Sequence, residues 1–547
     1  MKNETVMASV VAFTASFCIL VIELVAGRIM APYIGVSLYS WTSIIGVVLA
    51  GISIGAYLGG LLADRYPHQS TLGWLLLSAG AAGFTIAPLT DLVGNSDFLD
   101  GVTTLMVRIL ALTTIVFFVP SLLLGMISPV VIKLAVKNLE KTGHIVGKIS
   151  AFSTLGSILG TFSTGFFLIE AMGTRTILYS VGFILALSAP VFGGLFSQRQ
   201  SGKRQAVVFM CPMLLAASLT LLWLRRDAVA RPLILDQDCF FYKESDYYTL
   251  MLHDSEHPRR GTEDEQIPLR SLILDHLTHS YTDMENPYYM HYGYLKVCQE
   301  LVAWRTTEDQ ERRLLFIGGG GYTLPRYMDE AYRRASIDVV EIDPWVTKAA
   351  ERYLDVQNRR IHSINQDGRW FVRNCKTQYD FVFGDAFNDL SIPYHLTTRE
   401  FDALVKNILA PDGLFVVLVI DNIQAGQFFP AYFSTLRSVF GERNVYVIIP
   451  DYTQIEDDND LDLEQIGTIS CLLVASPQPI DMQHFRECLK TRKAEGCEAV
   501  SRVVPAERAN QYLAKRRGKT RVLTDDHVPV DNLIAPMFEE RFGYQRH

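Results

Sequence analysis

Hydrophobic positions follow two regimes along the 547-residue chain. Up to residue 224 they form long runs, at about 6–30, 40–63, 72–93, 102–132, 149–170, 176–197 and 205–224. Each reaches the roughly 20 residues that a hydrocarbon core of about 30 Å asks of a helix, so about seven transmembrane helices are expected. The first is read as a retained span, because it outlasts a signal-peptide core and six more runs follow. Beyond residue 224 the apolar runs shorten and sit between polar turns, the pattern of strands in a soluble α/β domain. Strands are expected at 247–252, 271–274, 314–317, 361–364, 379–383, 414–421, 445–449 and 468–475, with a helix over 344–353.

Within the apolar half, Gly46, Gly51, Gly55, Gly59 and Gly60 recur along the second run and Gly156, Gly160 and Gly165 along the fifth. Small residues at helical spacing let backbones approach, so close helix packing is expected there. Pro120 and Pro129 predict a kink or break in the fourth run. Glu23 and Arg28 lie five apart in the first, and a charge inside a span marks a functional candidate or a buried pair. Arg108 and Glu170 sit near run ends and are read as interfacial. Lys133, Lys137, Lys141, Lys148, Arg199, Lys203, Arg204 and Arg65 gather in the even-numbered loops, while Asp91, Asp97 and Asp100 are assigned to the loop after the third run. The positive-inside rule then puts the amino terminus in the cytoplasm and, with seven spans, the soluble half outside. Arg225 and Arg226, just after the last run, lean towards a cytoplasmic exit instead, so the sequence leaves the side unresolved.

The soluble half is organised around residues 314–343. An apolar run ends in Gly318, Gly319, Gly320 and Gly321, a helix-like stretch follows, and a second run ends in Glu341 and Asp343. In a βαβ unit such glycines let a ligand approach the backbone, and the acid closing the second strand can take both ribose hydroxyls. Asp367-Gly368 and Asp385 close two further expected strands. Three acids at the carboxyl ends of neighbouring strands form a constellation at the crevice where such sheets bind ligands. Tyr281, Tyr288, Tyr289, His291, Tyr292 and Tyr294 crowd the stretch before it, either lining a pocket or packing half-buried faces.

Charge sharpens the division. Residues 1–224 carry 12 Lys+Arg and 8 Asp+Glu and residues 225–547 carry 38 and 50, so the net charge of -8 divides into +4 on the apolar half and -12 on the soluble half. That balance argues against a nucleic-acid partner. The eight cysteines show neither C-x-x-C spacing nor a paired framework, so no metal site is expected from them. The acidic run 456–464 lacks the spacing of a calcium loop and is read as a solvated loop. The basic cluster from Lys515 to Arg521 is read as a solvated face, or as a contact with anionic headgroups if it faces the bilayer.

IGGGGYTLPR (317–326), VVEID (339–343), QDGRWFV (366–372) and FGDAFNDLSIPYHLTT (383–398), taken in order, resemble the spermidine synthase family. With ELVAGRIMAPYIG (23–35) and TDDHVPVDNL (524–533) the resemblance extends to its membrane-fused branch. It implies a multi-pass α-helical membrane domain (1–224), a connector and small β region (225–310), and an α/β Rossmann-like transferase domain (311–547). It further implies decarboxylated S-adenosylmethionine or S-adenosylmethionine as cosubstrate, no metal, an amine or membrane-resident acceptor, a homo-oligomer, and a bilayer, the cell inner membrane, as home. By resemblance Asp385 is the base, Glu341 with Asp343 the ribose site, Asp367 with Gly368 the adenine site, and Gly318 to Gly320 the close approach. Tyr248 and His279 stand at two family glutamine positions, and Tyr289, His291 and Asp389 are further acceptor candidates. The family's Asp after the third glycine is replaced by Gly321. Aminopropyl transfer is the leading expectation, beside methyl transfer to a membrane-resident acceptor, or amine transport by the helices with the soluble domain sensing nucleotide.

Overall fold

The computed structural model describes residues 2–96, 105–136, 142–193, 238–259, 265–275, 277–357, 359–386, 392–450, 466–494, 500–516 and 521–535, with 218, 232 and 463. Most of the seventh apolar run, Asp389 and most of the acidic run 456–464 lie outside them. The chain forms two compact units, Met1–Gln237 with Lys243–Thr249, and Asp238–Tyr242 with Leu250–His547.

Among the described residues of the first unit, six helices are long and apolar enough to cross a membrane. They are α1 (Lys2–Ile34), α2 (Leu38–Arg65), α3 (Gln69–Gly94), α4 (Leu105–Ala135), α5 (Thr142–Ser163) and α6 (Thr174–Phe192). Pro120 and Pro129 both lie inside the continuous helix α4. A π turn, Thr164–Leu168, and a short helix, Ile169–Met172, prolong α5.

The glycine rows do the expected work only in part. A Cβ on Gly55 would lie 2.2 Å from the Leu122 carbonyl oxygen, and one on Gly156 2.3 Å from that of Phe13, so α2 meets α4 and α5 meets α1 backbone to backbone. Gly46, Gly60 and Gly165 face open space instead.

Asp91 is not a loop acid. It lies in the last turn of α3, 1% exposed, and its carboxylate meets the Arg175 guanidinium (Nη1 to Oδ2 2.8 Å) and the Tyr33 hydroxyl (2.8 Å). Burying these charges is tolerable because each finds an opposite charge or a hydrogen bond. Arg28 donates to the carbonyls of Ser245 and Asp246, and Glu244 accepts from the Thr174 amide (2.6 Å). Glu23 is half-buried in α1.

The second unit contains two sheets, apart from the last two residues of β1 and the first of β2, which belong to the first unit. β1 (Cys239–Glu244), β2 (Thr249–Pro258), β3 (Gln266–Leu274) and β4 (Leu277–Thr282) form a four-stranded sheet in chain order. The sequence pattern reaches only parts of β2 and β3, because β4 is short and polar-rich and β1 falls where a connector is expected.

After α7 (Gly293–Arg305) comes the larger sheet, alternating strands and helices. They are β5 (Arg312–Ile317), α8 (Thr323–Ala331), β6 (Ala335–Glu341), α9 (Pro344–Tyr353), β7 (Ile361–Asn365), α10 (Gly368–Asn374), β8 (Tyr379–Gly384), α11 (Arg399–Ile408) and β9 (Leu409–Asn422). α12 (Phe428–Phe440), β10 (Val445–Pro450), β11 (Thr468–Ala475), α13 (Met482–Ala494), β12 (Ser501–Val503) and α14 (Ala506–Lys515) complete it. The strand order is β12-β10-β11-β9-β8-β5-β6-β7. β9, β8, β5, β6 and β7 run parallel, and the rest pair antiparallel. Chain order reverses between β5 and β8, so their carboxyl ends open the crevice where doubly wound sheets bind ligands.

Candidate active site

At the carboxyl end of β5 the Gly318 amide donates to Val340 (2.9 Å) and the chain turns with φ +99°. A Cβ there would lie 2.3 Å from the Asp385 carbonyl oxygen, so conformation and space both demand glycine. The next amide, Gly319, donates to Glu341 Oε2 at 2.8 Å, while the Asp343 amide donates to Oε1 at 2.9 Å. Burial raises the Glu341 carboxyl, and these amides draw it back. The acid is thereby fixed beside the glycine turn.

The other two acids of β6 and β7 have local duties. Asp343 Oδ1 accepts from the Trp345 amide (2.8 Å) and so caps α9. Asp367 caps α10 through the Trp370 amide (2.8 Å), and its Oδ2 meets His395 Nε2 at 3.0 Å. Gly368 is pressed against Ile317, whose Cγ2 would lie 2.7 Å from any Cβ. Asx capping explains both acids by elementary helix chemistry.

Asp385 follows β8, and its amide extends the ladder to Ile317 (3.0 Å). Its Oδ2 accepts a 3.0 Å hydrogen bond from the Tyr294 hydroxyl on α7. Burial pushes the Asp385 carboxyl up to about 6, against the pull of that hydrogen bond. The Tyr294 phenol is raised by burial and then by the Asp385 charge, so it stays a proton donor. Cys298, one turn further along α7, is raised by burial and is a lining thiol, not a nucleophile.

A cavity of about 60 Å³ is lined by Asp385, Tyr294, Cys298, the four glycines, His279, Ser280 and the first residues of α8, with Phe316, Phe383, Val416, Leu418 and Leu472. Of the sequence candidates, the structure brings Gly318, Gly319, Gly320, Asp385 and His279 to this cavity, with Glu341 hydrogen-bonded to its rim. Tyr289 and His291 join an outer ring cluster with His257, Tyr281 and Tyr292, with centroids 4.6 to 6.3 Å apart. Tyr248 closes a turn on Ser245 in the first unit. Tyr294 and Ser280 are the additions. Tyr294 belongs to the tyrosine-rich stretch, but nothing in its spacing distinguishes it from its neighbours. Among the described residues no group of three His, Cys, Asp or Glu converges as metal ligands.

This geometry fits the relationships found. Residues 298–455 match the Spermine/spermidine synthase domain family. The C-terminal region carries a spermidine synthase domain. Polyamine aminopropyltransferase of Vibrio vulnificus (strain CMCP6) is 40% identical over 136 residues, 24% of this chain and 44% of that protein. The eEF1A lysine and N-terminal methyltransferase homolog of Drosophila melanogaster is 31% identical over 142 residues, 24% of this chain and 21% of that protein. The chain thus spans less than half the length of either relative. A probable spermidine synthase from Corynebacterium glutamicum ATCC 13032 aligns at TM-score 0.41 and 18% identity, over 52% of this chain and 96% of that one.

Proposed function

We propose that the spermidine synthase domain transfers an aminopropyl-type group from a sulfonium nucleoside to an amine, on a protein held in a membrane by its N-terminal helices. The observation that carries this reading is Asp385: a carboxyl at the switch point, facing the glycine turn, raised to about 6 and held by Tyr294. In the step, the acceptor nitrogen's lone pair attacks the propyl carbon beside the sulfonium. The new C–N bond forms, the C–S bond breaks, and its electron pair neutralises sulfur as a thioether.

The nitrogen must shed a proton to react, and an alkylamine resembles a lysine with a reference value of about 10.4. A base raised from 3.8 towards 6 narrows that gap by about two units and makes proton transfer less uphill. Gly318 to Gly320 and Glu341 would hold the nucleoside, and Tyr294 would orient the Asp385 oxygen. Asp385→Asn in the purified full-length protein tests the role: turnover falls while nucleoside binding persists. Unchanged turnover would remove Asp385 from the chemistry.

Methyl transfer from S-adenosylmethionine is the second reading. It draws on the relative named as a lysine and N-terminal methyltransferase homolog and on the absence of an acid at Gly321. It differs in leaving S-adenosylhomocysteine as nucleoside product.

A further inference from the structure

The cavity has one end that Asp385 does not explain. Ser280 on β4 is 5% exposed, and its buried hydroxyl has no hydrogen-bond partner. It points at Gly321, since a Cβ built there would lie 1.8 Å from Ser280 Oγ and 2.6 Å from its Cβ. The hydroxyl therefore occupies the volume that a side chain at 321 would fill, which excludes an acid from that position.

Beside it begins α8, nine residues long, whose N-cap Tyr322 sits at φ +56° and offers no capping side chain. Thr323 and Leu324 line the cavity, and the first amides of a helix have no intrahelical acceptor. A helix start concentrates positive potential and donors. Asp385 is the one carboxylate among the lining residues. The Ser280 end thus offers donors to an anion and no carboxylate to an ammonium.

We propose that this end receives a carboxylate, so that the donor is the sulfonium nucleoside with its α-amino-acid tail intact, S-adenosylmethionine, in preference to the decarboxylated form. This rests on the reading that the site holds a sulfonium nucleoside at all. Attack at the propyl carbon then moves a carboxylated aminopropyl group and leaves methylthioadenosine. Attack at the methyl carbon leaves S-adenosylhomocysteine. In either case sulfur takes the electrons of the broken bond and the amine proton goes to Asp385.

Calorimetric titration of the full-length protein in detergent with S-adenosylmethionine, its decarboxylated form and methylthioadenosine tests this. Wild type should bind the carboxylated donor at least tenfold more tightly than the decarboxylated one. Ser280→Ala should weaken the carboxylated donor roughly tenfold, the worth of one hydrogen bond to a charged group, and leave the other two ligands unchanged. The paired change Ser280→Gly with Gly321→Asp should reverse the preference. Equal or tighter binding of the decarboxylated donor by wild type overturns the proposal but not the function. So does an equal loss for all three ligands in Ser280→Ala. Binding of none of the three by wild type overturns both.

Discussion

Asp385 is a carboxyl group with two masters, the low-dielectric wall that disfavours its charge and the Tyr294 hydroxyl that favours it. Burial wins, and the group sits at about 6. Three consequences can be measured. If Asp385 takes a proton from the amine, the Asp385→Asn rate should fall by about 10²- to 10⁴-fold, the usual worth of a positioned base. The wild-type kcat/KM should rise with pH through about 6 as the carboxylate forms, and a profile flat from pH 5 to 7 would contradict the role. The sign for stability is opposite. The folded value lies above the unfolded one near 3.8, so the favourable contribution is full below pH 4 and is lost as pH rises through 6. The whole shift would be worth about 3 kcal/mol, and the residue's partial exposure reduces this to about 1–2 kcal/mol. Asp385→Asn should therefore raise the thermal midpoint at pH 7.5 and not at pH 4. Asp385 and Glu341 were legible because a strand-ending acid beside a glycine turn is a local pattern. Tyr294 and Ser280 were not, since their partners lie 91 and 41 residues away in the chain and only the fold joins them.

At the scale of elements, spacing read well where it reflects one helix face and poorly where it reflects a neighbour. The glycine rows of α2 and α5 announced close packing, yet only contact with α4 and α1 decides which glycines are needed. Gly55→Leu drives a side chain into the Leu122 backbone and should cost about 1–3 kcal/mol or prevent assembly. Gly60→Leu enters open space and should stay within about 0.5 kcal/mol. Thermal stability in detergent compares the two, and equal behaviour would contradict the packing. Asp91 escaped the sequence reading because it lies at the end of an apolar run, where a loop acid looks the same; Arg175 and Tyr33 reveal its burial. The terminal TDDHVPVDNL also gains a role from its contacts. Asp525 pairs with Arg369 (2.7 Å) and accepts from Thr398 (2.7 Å), pinning its segment to α10 and to the start of α11, where Arg369 also donates to the His395 carbonyl. Arg369 holds the Asp525 carboxyl low, so this tie is present above pH 4 and is lost as pH falls through its folded value.

For the whole molecule, helices apolar and long enough to cross a membrane share one chain with a spermidine synthase domain. That division was plain in the sequence, because runs of 20 apolar residues and short strands between turns are different periodicities. Alkaline carbonate should leave the protein in the membrane pellet, and its release would contradict the spanning helices. The central claim is transfer of an aminopropyl-type group from a sulfonium nucleoside to an amine. It is tested most directly by mass spectrometry of the nucleoside and acceptor after incubating full-length protein with each sulfonium donor and a panel of amines. Methylthioadenosine, with a matching mass gain on an amine and loss of both in Asp385→Asn, is the predicted result. S-adenosylhomocysteine as the sole product, or no nucleoside product from either donor, would contradict it.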